Sequence, residues 1–73
     1  MDPQPVRIRG DVVLLQALLK MLDVVQTGGE VKSYLADNEI RLNGEPESRR
    51  SKQLRDGDVI ELPDGRVVQI VAG

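Results

Sequence analysis

The chain is predicted to form a single small α+β domain, in which a strand and two consecutive helices are followed by a small, mostly antiparallel sheet. Three observations predict it. Leucines recur at helical spacing between Val12 and Leu22, the mark of an amphipathic helix. Thr27-Gly28-Gly29-Glu30 has the spacing of a capping box, so a second helix starts there. From Ile40 onward, short apolar runs are separated by Asn43-Gly44, Asp56-Gly57-Asp58 and Pro63-Asp64-Gly65. These are turn sequences: the glycines accept positive φ, and Asn or Asp can bond its own backbone.

Taken in order, residues 1–5 hold two prolines and little apolar matter, and are expected to be a flexible leader to one domain over residues 6–73. Val6-Arg7-Ile8-Arg9 alternates apolar and basic, as a half-buried strand does. Asp11 stands as the N-cap of the first helix. On that helix Leu15, Leu18, Leu19 and Leu22 mark the buried side, and Gln16, Lys20 and Asp23 the polar side. Val13, Leu14, Ala17 and Met21 widen the apolar stripe, so the helix is expected to be covered both by a sheet and by its neighbour. The second helix runs through Val31, Tyr34 and Leu35 to about Asp37, with Asn38 taking a left-handed stop. Ile40-Arg41-Leu42 is a short strand, and Asn43-Gly44 is a two-residue hairpin turn. Pro46 holds the next segment at a sheet edge or outside the sheet. Val59–Leu62 and Val67–Val71 are the closing strands. The expected core is Leu15, Leu18, Leu19, Leu22, Val31, Leu35, Ile40, Leu42, Leu54 and Ile60.

The composition excludes several classes. A core built from 73 residues rarely yields more than ~3–5 kcal/mol of net stability. Cysteine and histidine are both absent, which removes disulfides, thiolate metal sites, His-based triads and the commonest metal ligand. No D-x-D-x-D-G calcium loop is present. No enzymatic activity, cofactor or small-molecule substrate is therefore expected. The apolar window Val12–Val25 is interrupted by Gln16, Lys20 and Asp23 and is too short to span a bilayer. The N-terminus lacks the apolar core of a signal peptide. A monomeric, cytoplasmic protein without membrane contact is expected.

A net charge of −2 gives no global basic excess, but binding follows the local field. Arg49, Arg50, Lys52 and Arg55 place four positive charges in seven residues with no acid between them. Arginine's planar fork suits phosphate oxygens. Glu45, Glu47, Asp56 and Asp58 flank the run, with a reach that screening limits to ~8 Å. Gly28 and Gly29 expose backbone N–H groups at a helix N-terminus, an arrangement that favours anions; they also read as a simple flexible turn. Lys32 lies one turn beyond Gly28. Lys20, with Gln16, either borders the same groove or belongs to a solvated face. Arg41 should point away from Ile40 and Leu42, and Arg7 and Arg9 share one face of the first strand. Tyr34 is the one aromatic residue, so base-stacking platforms are missing and any RNA recognition would rest on shape and backbone.

The order and spacing of these features from Thr27 to Leu62 resemble the S-four RNA-binding domain, or αL motif, with a motif core at about residues 11–62. Where that family shows a Ser- and Arg-rich helix start followed by Glu-Ala-Arg, this chain has Glu30-Val31-Lys32, with Lys32 in the basic position. The family's Gly-x-Val-x-Val-Asn-Gly stretch is matched by Glu39-Ile40-Arg41-Leu42-Asn43-Gly44, and its Lys-Pro-Gly-Asp turn by Arg55-Asp56-Gly57-Asp58. Gly28 and Gly29 replace an arginine common in the helix cap; small stand-alone members of the YbcJ-like kind carry a similar Thr-Gly-Gly cap. The resemblance implies a bacterial module that binds structured RNA, ribosomal or transfer RNA, as an adaptor or assembly factor. The residues and the resemblance together make Lys20, Thr27, Gly28, Gly29, Lys32, Arg41, Arg49, Arg50, Lys52 and Arg55 the candidate RNA contacts.

Two other readings stand beside it. A sulfur-carrier or ubiquitin-like β-grasp protein also has an Asn-Gly turn, an Asp-Gly-Asp strand entrance and a C-terminal glycine. Ala72 breaks the Gly-Gly tail such carriers use, and two consecutive helices do not fit one. A protein-interaction domain with incidental basic residues is the other.

Overall fold

Alternation along the strands decides which face is covered, and it is clearest at the two ends of the chain. The computed structural model describes residues 2–73. Its elements are β1 (Gln4–Ile8), β2 (Val12–Leu14), α1 (Leu15–Met21), α2 (Gly28–Asp37), β3 (Ile40–Leu42), β4 (Glu45–Glu47), β5 (Gln53–Arg55), β6 (Val59–Glu61) and β7 (Val67–Ala72). Five strands form one sheet in the order β1-β7-β6-β3-β4, and β2 pairs with β5 in a second, two-stranded sheet. The β1–β7 pair is parallel, and the β2–β5, β3–β4, β3–β6 and β6–β7 pairs are antiparallel. The α+β expectation of a small, mostly antiparallel sheet holds. Two short helices precede the hairpin, not the single long helix of a sulfur carrier.

Ile8, Val68, Ile70, Ile60 and Ile40 point to one side of the main sheet and are buried there with Leu15, Leu18, Leu19 and Val31 of the helices. Seven of the ten expected core residues are buried; Leu22, Leu35 and Leu42 pack against them partly exposed. Val25 and Leu62 complete the core from loop positions.

Several local expectations are corrected. Gln4 and Pro5, expected in the loose leader, already pair with Val68 and Gln69, so the first strand starts earlier than its alternation shows. Asp11 does not cap the first helix. Val12–Leu14 is a strand paired with Gln53–Arg55, and α1 begins only at Leu15, behind Leu14, with no side-chain cap bond. β-Branched Val12 and Val13 suit the strand, and the cross-strand partner overrides the helical spacing of the leucines. Consequently Val13 and Leu14 do not widen a helical stripe, and Met21, expected to, is 51% exposed. Asp23 lies beyond α1 and adopts a φ of 61°. The Asp23 N–H donates to the Lys20 carbonyl and the Val24 N–H to the Leu19 carbonyl, the two bonds of a Schellman stop.

At α2 the Thr27 hydroxyl accepts from the Glu30 N–H at 3.2 Å. The other arm of the expected capping box is a 3.5 Å contact from the Thr27 hydroxyl to the Glu30 carboxylate, not to the Thr27 backbone. Asn38 is extended, with φ −133°, rather than left-handed. Its backbone and side-chain amides both donate to the Tyr34 carbonyl, at 2.9 and 3.1 Å, so the helix end is satisfied without a positive φ and the chain passes directly into β3. Asn43 and Gly44 have φ of 52° and 87°, the paired positive values of a type I′ hairpin turn. Pro46 sits on β4, the sheet edge.

Asn43 also ties this hairpin to the next turn. Its side-chain amide donates to Asp58 Oδ1 at 3.1 Å, and its carbonyl oxygen accepts from the Val59 N–H at 2.9 Å. Replacing Asn43 by Ala removes both bonds and leaves a β-carbon at positive φ. The expected cost is about 2–3 kcal/mol, read in urea as a lower midpoint with an unchanged slope. A midpoint unmoved from wild type would show that the tie contributes nothing.

Candidate nucleic-acid interface

The basic run is not a free loop. The Lys52 N–H donates to the Arg49 carbonyl at 3.1 Å, closing a tight turn through Arg50 and Ser51. The carbonyls of Arg50 and Lys52 then accept from the first amides of α1, Gln16 and Leu15, at 2.9 Å each. A helix start leaves such N–H groups without partners inside the helix, and here the turn supplies them. Because the turn's carbonyls face the helix, its side chains are left to face outward: Arg49 and Arg50 are exposed and Lys52 is half-buried.

The expected site residues divide into groups. Lys32, on α2, and Arg50, on the turn, line one groove of about 230 Å³ with Leu35, Ala36 and Ser48. Arg49 and Lys52 line a neighbouring, larger groove with the β3–β4 hairpin, including Asn43, Glu45 and Glu47. Gly28 shares the Lys32 side of α2, one helical turn away. Thr27 and Gly29 line a different groove, beside Glu30, Tyr34 and Asp37. Arg55 is exposed on β5, where its guanidinium donates to Gln53 Oε1 at 3.2 Å. Lys20 is exposed in the last turn of α1 and lines neither basic groove. Arg41 projects from the sheet face opposite Ile40, paired with Glu39 at 3.2 Å and cross-strand from Glu61. The structure thus brings Lys32, Arg49, Arg50 and Lys52 around one turn, and leaves Lys20, Arg41 and Gly29 outside those two grooves.

Among the described residues the ion pairs are Arg41–Glu39, Arg49–Glu47 and Arg66–Asp64. Lys32, Arg50 and Lys52 therefore hold no carboxylate. Sequence reasoning missed two contributors. Ser48 adds a hydroxyl to the Lys32–Arg50 groove, and nothing in its local sequence marks it. Glu47, 12% exposed at its side chain, accepts from the Ser48 and Arg49 N–H groups at 3.1 and 3.0 Å and from the Arg49 guanidinium at 3.3 Å. The acid two places before the run is thus an anchor for it.

A family model described as the S4 domain matches residues 6–71. The chain belongs to the S4 domain family. The match reaches beyond the Thr27–Leu62 stretch that carries the sequence resemblance, taking in Val6–Ile8 of β1, all of β2 and α1, and most of β7. A relative in Bacillus subtilis (strain 168), named as a probable ribosome maturation protein, RlbA, is 37% identical over 67 residues, which cover 92% of this chain and 94% of that one. Among the described residues of this S4 domain, no helix is long and apolar enough to cross a membrane.

Glu47 generates a pH prediction. The Arg49 N–H above all, aided by the Arg49 side chain, holds its carboxyl below the ordinary value of 4.5 against the opposing effect of burial. A carboxyl depressed in the folded state adds stability that is fully present above its unfolded value and is lost as pH falls through the folded one. Glu47→Gln should therefore be less stable than wild type at pH 7, and the gap should close on acidification to about pH 3. Urea titrations at both pH values check this; a gap independent of pH would deny Glu47 that role.

Proposed function

We propose that this S4 domain binds structured RNA, ribosomal or transfer, and acts as an adaptor or assembly factor in ribosome maturation, as a cytoplasmic monomer. The observation that carries the reading is the Lys32–Arg50 groove: two cations without carboxylate partners, on two elements, with the backbone of one fixed against α1. Such preorganised charges can meet phosphates without first being ordered. Family membership and the ribosome maturation relative support RNA as the ligand and the ribosome as its setting. With one aromatic residue in the chain, binding would rest on backbone charge and RNA shape.

The proposed contact set centres on Lys32, Arg50, Lys52 and Arg49, with the N–H group at Gly28 as a phosphate approach; Thr27 and Gly29, which line the groove beside Glu30, fall outside it. Arg55 extends the surface along β5. Lys20 and Arg41 are peripheral contributors at most. Arg49 is already compensated by Glu47, so Lys32 and Arg50 give the decisive test.

If about three to five phosphates are neutralised, log K against log[salt] should fall with a slope of roughly −2 to −4. Replacing Lys32 and Arg50 together by Ala should weaken binding to ribosomal RNA fragments and tRNA alike and flatten the slope by about one to two units. Stability should move by no more than ~0.5 kcal/mol, because both side chains are exposed. A folded double variant with unchanged affinity and slope would overturn the assignment.

The glycines give a separate test. A Cβ on Gly28 meets nothing within 4 Å, and its φ is not positive, so packing does not require glycine there. Gly28→Ala should stabilise the domain by about 0.5–1 kcal/mol. It should also weaken RNA binding several-fold if a phosphate approaches the helix start. Greater stability with unchanged affinity would reduce the glycine to an inter-helix turn.

A further inference from the structure

Helix α2 carries opposite charges on its two flanks. Gly28, Lys32 and Ala36, spaced four residues apart, lie on the flank that meets Arg50. Glu30, Ser33 and Asp37 lie on the other, where they border a groove of about 540 Å³ with a floor that includes Val24, Val25 and Tyr34. The groove continues past Asn38 to Pro63 and Asp64, adding about 390 Å³. No lysine or arginine lines either stretch. Val24 and Tyr34 are half-buried, so part of the apolar floor stays open. Glu30 and Asp37 are exposed and take part in none of the ion pairs among the described residues, whereas Asp64 is held by Arg66 at 2.8 Å.

The geometry points to a second binding surface: this groove docks a short basic segment of another protein, with an apolar side chain on Val24, Tyr34 and Pro63 and flanking Lys or Arg side chains against Glu30 and Asp37. Charge complementarity selects that occupant. Two carboxylates that take part in no ion pair among the described residues, set over an apolar wall, repel phosphate and attract ammonium or guanidinium groups. Tyr34, the one aromatic residue, is a rigid side chain with an apolar body and a polar tip, the type favoured at contact centres. Burial raises the pKa of its hydroxyl, with the Asp64 charge adding and Arg66 opposing. Exposed ion pairs alone contribute little, so the floor and the rim must act together. The surface does not depend on RNA binding, because it lies on the opposite flank of α2 from Lys32.

The test is an NMR titration of the isotope-labelled full chain. The probe is an end-capped peptide alternating lysine and leucine, compared with a counterpart carrying glutamine for each lysine. The lysine peptide should give saturable shifts at Val24, Ser33, Tyr34, Asp37 and Asp64, and the glutamine peptide should give none. Glu30→Gln combined with Asp37→Asn keeps the side-chain shapes, and Gln retains a capping role at position 30. This variant should unfold at the same temperature and bind the lysine peptide about tenfold more weakly, as expected for two lost ion pairs. Shifts centred on the basic turn, equal binding of both peptides, or unchanged binding by the variant would overturn the proposal. So would RNA shifting Tyr34 and Asp37 in a parallel titration. Broadening of the same signals with protein concentration alone would give the groove to a second copy instead.

Discussion

Two hydrogen bonds organise much of this domain: those from the Leu15 and Gln16 amides to the carbonyls of Lys52 and Arg50. Helix α1 has seven residues and no side-chain cap, too short to be stable in isolation. Its start is instead completed by a segment that lies 34 or more residues further along the chain. The same approach aligns β2 with β5, whose register pairs Leu14 with Gln53 immediately before the bonds to α1 begin. Helix start, strand register and basic turn are thus one constraint. The turn's carbonyls are committed inward, and this presents Arg49, Arg50 and Lys52 on the outside without a mobile loop.

The acids around the basic run complete the picture. In sequence, Glu47, Asp56 and Asp58 look like charges that dilute it. In the fold each is aimed at backbone donors. Glu47 takes the Ser48 and Arg49 N–H groups, Asp56 the Ala72 N–H, and Asp58 the Arg55 N–H at 2.8 Å as well as the Asn43 side chain. A carboxylate that accepts N–H bonds is partly compensated by the donor dipoles. These acids therefore act first as fasteners: Asp58 joins the β3–β4 hairpin to the turn before β6, and Asp56 joins that turn to β7.

The parts that were legible in sequence were those set by local chemistry. Thr27 as a cap, Asn43-Gly44 as a turn, Pro46 at an edge and the buried leucines of α1 all follow from residues close in the chain. What failed depended on distant partners. Val12–Leu14 reads as helix because the leucine spacing continues through it, and only the pairing with Gln53–Arg55 makes it strand. β5 itself went unrecognised beneath its charges, although Leu54 was placed in the core. Pro5 within a paired strand was hidden by composition, since parallel pairing with β7 is a non-local event. At the candidate interface, residue type identified the cations, but their grouping did not follow from proximity in sequence. Arg41 sits close to the Asn-Gly turn and far from its chemistry, on the outer face beside Glu39 and Glu61, whereas Lys32 meets Arg50 across eighteen positions of chain.

A net charge of −2 is a poor guide to such a molecule because the average conceals its arrangement. Along α2, Lys32 and the open start at Gly28 lie on one flank and Glu30 and Asp37 on the other, so the helix separates a cationic groove from an anionic one. At ionic strengths where charge acts over ~8 Å, a ligand on either flank responds mainly to the side chains beside it. The sum then sets solubility and long-range steering, while each groove keeps its own sign. A basic excess over the whole chain would strengthen attraction to any nucleic acid at any face. Grouping Lys32 and Arg50 in one groove beside the turn fixed against α1 gives that surface a defined geometry as well as a charge.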